Sequence, residues 1–281
     1  MVWHKYELVF RLLSPLHIGY RRVGNLQQTR GYVPGKNLWA ALTARLTRDF
    51  DDGTDGQRYQ AIGESVKSGF RFGYLYPALP KDPNRAVRSA GDLETHYPWK
   101  DDLFAYRFLS SYTSTALDHG RQAAAEGLLH ETEFIRPWAQ PLSDDSQPLP
   151  VYLVGFIYVR ENLDSALAGW RTALERIQLG GERGYGWGRL RLCRESLSAQ
   201  SSCAEPTVAV AKGDPILAHV SAGQCEDIVG PIEPLVGWER DNTGKTTQKN
   251  WRLSSPLICY APGASVTVER SFTIGHYGIW E

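Results

Sequence analysis

The chain has 281 residues, 31 basic and 31 acidic, and a formal net charge of zero. That length suits one large or two modest domains, and zero net charge argues against a free-standing nucleic-acid binder while leaving room for a local basic groove. No apolar run approaches the roughly 18 residues of a membrane span, and the N-terminus lacks the apolar core of a signal peptide. Cys193, Cys203, Cys225 and Cys259 show no metal-ligand spacing, so no metal or cofactor is expected, and reduced thiols point to the cytoplasm.

Tyr6, Leu8, Phe10 and Leu12 fall on one face of an alternating run from Tyr6 to Leu13, which predicts a half-buried strand ending at Ser14-Pro15. The following run from Gly19 to Asn37 contains Arg21, Arg22, Arg30 and Lys36 and no Asp or Glu. Leu38, Leu42 and Leu46 then recur every four residues, an amphipathic helix of about three turns opening after Pro34-Gly35. Residues 49–125 begin with the acidic turn Asp51–Gly56 and carry Pro77, Pro80, Pro83 and Pro98; they read as an insertion with little regular structure. Residues 130–136 read as a strand. Val151–Val159, apolar on both faces, reads as a central strand. Asn162 is the expected N-cap of a helix that places Leu163, Ala166, Leu167, Trp170, Leu174 and Ile177 on one face. It stops at Gly180-Gly181, and a last strand spans 189–194, with Arg189 and Arg191 on the side opposite Leu190 and Leu192.

This strand–helix–strand–strand–helix–strand order is the ferredoxin-like βαββαβ pattern, an α+β fold with both helices on one sheet face. The other face would be free for a partner, with Arg189 and Arg191 directed to it. The ferredoxin-like domain would span 1–196, including the insertion at about 49–125. Residues 195–205 read as a linker, and 206–281 as a smaller β-rich subdomain in which 241–250 looks like a mobile loop.

The most informative segment is Leu179-Gly-Gly-Glu-Arg-Gly-Tyr-Gly-Trp-Gly-Arg-Leu190. Gly180, Gly181, Gly184, Gly186 and Gly188 allow positive φ and close backbone approach. Arg183 and Arg189 can fork onto phosphates, and Tyr185 and Trp187 offer faces on which bases stack. The plainer reading is a tight helix-to-strand connection with its aromatics in the core, and on residues alone both stand. The start of the first helix, with Lys36 and Asn37, is a second place for a phosphate. Together with Arg21, Arg22 and Arg30 it is expected to form one RNA groove with the glycine loop.

Three segments resemble the RAMP superfamily of CRISPR-associated proteins: Leu13-Ser-Pro-Leu-His-Ile-Gly19, Tyr32-Val-Pro-Gly-Lys-Asn-Leu-Trp-Ala-Ala-Leu42 and the glycine loop. Glu126–Phe134 and Ile274–Trp280 are similar to its type III-D branch. The resemblance implies a subunit that assembles on a guide RNA in a type III effector complex, beside other RAMP subunits and a large polymerase-like subunit. It also implies that target-cutting members carry an aspartate between strand one and helix one, which this chain lacks. The expectation is therefore a non-catalytic subunit capping the 5′ handle of the guide. The alternative is an endoribonuclease of the same superfamily, using His17 as general base on a 2′-OH or an acid such as Asp51; a structural strand-end histidine and a solvated acidic turn are the plainer roles. His130 is a further histidine candidate. The Glu131/Glu133 pair suits Mg²⁺ or, more plainly, arginine partners.

Overall fold

The computed structural model describes residues 1–50, 56–143, 147–223, 225–240 and 251–281. Asp51 and the 241–250 segment lie outside them. The elements that position the site begin with β1 (Trp3–Leu12), β2 (Gly19–Val23), β3 (Leu26–Thr29), α1 (Gly35–Phe50), α2 (Gly56–Gly69), β4 (Phe70–Phe72), β5 (Tyr76–Pro80) and β6 (Leu93–Thr95). Next come α3 (Phe104–Phe108), β7 (Leu109–Ser114), β8 (His130–Ile135), β9 (Tyr152–Arg160), α4 (Trp170–Leu174), β10 (Leu190–Leu192) and β11 (Ala199–Cys203). The chain is mixed α+β, with strands dominant. No helix among the described residues is long and apolar enough to cross a membrane.

The central sheet has the order β10–β1–β9–β5–β6, with β11 also on β1 and β4 also on β9. β1 pairs antiparallel with β9 over its length, Tyr6 opposite Ile157 and Phe10 opposite Leu153. The alternation seen in sequence sends Leu8, Phe10 and Leu12 into the main core. There they meet Leu38, Leu42 and Leu46 of α1, Phe70 and Phe72 of β4, and Trp170 of α4. Complete burial of a leucine contributes about 2 kcal/mol, so the four-residue spacing on α1 is itself a strong packing signal.

Several expectations are corrected. Residues 49–125 are not short of regular structure: they supply α2, β4, β5 and β6. β4 and β5 occupy the sheet position beside β9 that was expected for 130–136, and β8 lies instead in a second sheet of order β2–β3–β8–β7. Pro77 misled the reading because a proline argues against an internal strand. Here it loses only a donor, since its carbonyl still accepts the His96 N–H at 2.8 Å, and burial of the whole Tyr76–Pro80 run outweighs that loss. The second helix is a 3₁₀ turn, Ser165–Leu167, followed by the short α4. Its cap is Asp164, not Asn162: the Asp164 carboxylate accepts the Ala166 N–H at 3.0 Å. The expected linker holds β11, which pairs with Trp3–Tyr6 beyond the end of β10, because β1 is longer than β10 and its N-terminal backbone groups need partners.

The sheet face opposite the helices is not free. Trp3, Tyr74, Tyr76 and Tyr158 share a second core with Ile216, Val220, Phe272 and Trp280 of the C-terminal region. That region contributes β12 (Thr207–Val210), β13 (Ile232–Leu235), β14 (Leu257–Tyr260) and β15 (Arg270–Thr273). β12 pairs with β15, and β13 with β14. Four large aromatics on one sheet side are too much apolar surface to leave in water. Arg191 on β10 and Arg189 just before it are exposed.

Candidate nucleic-acid interface

The glycine loop closes on its own chain at the base and opens at the crest. Leu179 N–H donates to the Gly188 carbonyl at 3.0 Å, Gly181 N–H to the His17 carbonyl at 2.9 Å and Gly188 N–H to the Pro15 carbonyl at 2.7 Å. Arg189 N–H donates to Ser14 Oγ at 2.9 Å. Two glycines are sterically required. Gly180 and Gly188 have φ of +78° and +74°, and a Cβ on them would lie 2.2 Å from the His17 carbonyl oxygen and 1.8 Å from that of Leu179. At the crest, Gly184 and Gly186 have open space where a Cβ would stand. Arg183, in a 3₁₀ turn with Tyr185, is exposed, and Tyr185 is 84% exposed. Trp187 is different: its ring packs edge-on against Phe134 at 5.1 Å and near Tyr112 at 6.5 Å. The two aromatics of the loop therefore divide between a packed anchor and an open face.

The acid-free run also divides. β2 and β3 form a hairpin whose first strand is exposed throughout. Arg21 donates to Gln28 Oε1 at 2.6 Å and Arg22 to the Gly24 carbonyl at 2.9 Å, which leaves both guanidiniums on the surface with donors to spare. Register aligns Arg22 with Gln27, Gln27 with Thr132 and Thr132 with Tyr112 across four strands. That row ends beside Trp187. Tyr112 was missed by the sequence reading, although the Ser/Thr/Tyr-rich run Leu109–Ser114 has the β-propensity that would have revealed it.

Arg30, expected to face phosphate, is largely enclosed, its side chain 9% exposed. Its guanidinium pairs with Glu233 of the C-terminal region, donates to Tyr32 Oη at 3.0 Å and lies over the Tyr20 ring at 4.6 Å. Burial works against its charge, but Tyr32 and Glu233 outweigh that and hold its pKa above the ordinary value. His219, fully buried, donates Nε2–H to Glu233 at 2.6 Å and accepts the Tyr74 hydroxyl on Nδ1 at 2.6 Å; the tautomer follows because a carboxylate only accepts. Burial would raise the Glu233 pKa, yet His219 and Arg30 bring it down to about 2. Burial also lowers the His219 pKa. The start of α1 is partly covered, with Lys36 and Asn37 half-buried. Gly35 is buried with the Tyr277 carbonyl 2.5 Å from its Cβ position, and Lys36 lies 5.5 Å from the Tyr277 ring. Asn37 N–H donates to the Pro34 carbonyl at 3.0 Å.

His17 joins the two open parts. It is 7% exposed, its Nδ1 lies 2.7 Å from the Glu133 carbonyl, and its ring contacts the Cβ positions of both Gly19 and Gly181. The Glu133 carboxylate accepts the Thr29 N–H at 2.9 Å, tying β3 to β8. His130 bonds to Ser114 at 2.9 Å. Among the described residues no group of His, Cys, Asp or Glu is placed to hold a metal.

The family model of the RAMP superfamily matches residues 9–191. No curated protein matches the sequence. Among solved structures, the chain is similar to one in the type III-B Cmr-beta complex bound to cognate target RNA and AMPPnP. The TM-score is 0.50 at 11% identity, over 92% of this chain and 85% of that one. A chain of Cmr-beta bound to cognate target RNA gives 0.43 at 12% identity, over 69% and 98%. At such identities the likeness concerns the fold alone.

Proposed function

The chain belongs to the RAMP superfamily, and from that premise we propose that it is a guide-RNA-binding structural subunit of a type III CRISPR effector complex, acting in the cytoplasm. The similar structures are complexes of that type with RNA. The strand order last–first–third–second, with α1 and α4 on one face, supports a ferredoxin-like core. One observation carries the reading. The β2–β3 hairpin and the glycine loop meet over His17 and leave Arg21, Arg22, Arg183 and Tyr185 exposed. Cations positioned for a backbone, next to an open aromatic face, suit single-stranded RNA.

Buried and held between two backbones, His17 serves to join hairpin and loop, and no acid lies between β1 and the end of α1 before Asp49. The subunit grips RNA without cutting it. Its place is the end of the complex, capping the 5′ handle, because the C-terminal region covers the part of the sheet face around Trp3, Tyr76 and Tyr158 and sets it apart from a repeating filament unit. Other RAMP subunits and the large polymerase-like subunit are its neighbours there.

The test is guide-RNA binding by the assembled complex and by the isolated chain. Arg183→Ala with Tyr185→Ala, and Arg21→Ala with Arg22→Ala, should each weaken binding, with a shallower salt dependence for the arginine pair. Unchanged affinity in both double variants would overturn the proposal, as would RNA cleavage that is lost in His17→Ala.

A further inference from the structure

A second ligand site lies on the other side of the central sheet. Where the C-terminal region covers that face it leaves a cavity of about 230 Å³. Its walls include Tyr76, Tyr97, Phe156 and Trp280. Three of these come from the sheet side and Trp280 from the far end of the chain, so the cavity exists only once the C-terminal region has docked. The Nε1–H of Trp280 is buried without a hydrogen-bond partner, which is a cost that native packing rarely leaves standing.

The charged groups are gathered at one edge, with the amide of Gln200, while Thr95 and Tyr97 line the other side. Lys5, Glu7 and Gln200 line it. Glu7 is held in place: it accepts the Ala90 N–H at 2.8 Å and Gln200 Nε2 at 3.3 Å, and a carboxylate so held still has acceptor sites left. The Lys5 ammonium lies 4.9 Å above the Phe156 ring. One positive and one negative charge at the same edge select neither an anion nor a cation. They suit a neutral group that both donates and accepts.

Size narrows the choice further. The cavity is smaller than the roughly 300 Å³ at which pockets take drug-sized ligands, so it holds one flat ring system. Aromatic walls favour a ring that stacks or meets them edge-on. A flat, neutral heterocycle with donors and acceptors along one edge describes a nucleobase.

We propose that this cavity binds a single nucleobase, presented by a free nucleoside or by an unstacked residue of a single-stranded RNA. Its lining shares no residue with the hairpin or the glycine loop, and the proposal does not rest on the guide-RNA reading.

The experiment is calorimetric titration of the full chain with adenosine, guanosine, cytidine and uridine, and separately with a short single-stranded RNA. Two variants plug the site: Gln200→Trp at the exposed mouth, and Val208→Trp on the wall. Saturable binding of at least one nucleoside, weakened at least about tenfold by Gln200→Trp with the circular dichroism unchanged, is the expected result. Binding of the RNA alone, weakened in the same way, assigns the base to a polymer. The Arg183→Ala/Tyr185→Ala variant should bind nucleosides as the parent does, so loss of one site is distinguishable from loss of the other. The proposal is overturned if no nucleoside binds saturably and Gln200→Trp does not weaken RNA binding by the Arg183→Ala/Tyr185→Ala variant, and equally if Gln200→Trp leaves nucleoside binding untouched.

Discussion

Arg21 and Arg30 belong to one acid-free run, nine positions apart, and have opposite surroundings. Arg21 stands on an exposed strand, bonded to Gln28 and 5.2 Å from the Tyr20 ring. Arg30 is enclosed by Tyr20, Tyr32 and Glu233. The same chemistry therefore does two jobs: one arginine is offered to a partner, and the other fastens the hairpin to the C-terminal region. The contrast between an open cationic surface and a buried ionic tie can be broken at either end.

The largest effect is expected at the tie. Arg30→Ala leaves Glu233 charged and half-paired in a buried setting, a change that costs about 3–5 kcal/mol. Urea denaturation should show it, and Arg30→Met combined with Glu233→Gln should cost less than the sum of the single changes. A loss under about 1 kcal/mol would mean that Arg30 behaves as a surface ion pair. At the base of the glycine loop, Gly188→Ala meets both a positive φ and the Leu179 carbonyl. A loss of about 2 kcal/mol or more is expected from these together, read as a lower thermal midpoint.

On the open side the signs reverse, with stability kept and binding lost. Tyr185→Ala should leave the thermal midpoint unchanged and cost about 1–3 kcal/mol of RNA affinity if a base stacks there. Trp187→Ala should do the opposite, since its ring packs on Phe134. Equal behaviour of the two variants would erase the division between anchor and open face. The smallest effect belongs to Arg21→Ala, which should lower the slope of log affinity against log salt by about 1.

Acid also probes the tie, together with His96 and His276, whose pKa values burial lowers too. The folded pKa of His219 lies below 6.5, and that of Glu233 falls from 4.5 to about 2. In both cases the folded state binds fewer protons than the unfolded one, so stability rises with pH. It should be full above neutrality, decline as pH falls through 6.5, and decline again between 4.5 and 2. Thermal midpoints across this range check the profile, and His219→Gln should shrink its upper step, leaving the share of His96 and His276.

Much of the frame was legible in the chain. The alternation in β1, the apolar run of β9 and the leucine spacing of α1 each record a buried face within a few residues, and all three faces are buried as read. The glycine loop was legible as well, although its crowding at Gly180 and Gly188 comes from the chain's own Leu179 and His17, while the open crest is left to a partner. The strand partner of β9 was not legible, because Pro77 argued locally against the strand that tertiary burial imposes. Nor was the covering of the sheet's second face, which is shared between Tyr74 or Tyr158 and residues as distant as Trp280.

By itself, then, the sequence determined the periodic faces, the superfamily motifs and the store of cations without nearby acids, since each depends on neighbours along the chain. Only the tertiary structure decided which cations stay open. Arg30 meets its carboxylate 203 positions away, and the start of α1 is partly covered by Tyr277, from the far end of the chain. A charge is held inside by a partner that folding brings to it, and no local pattern names that partner.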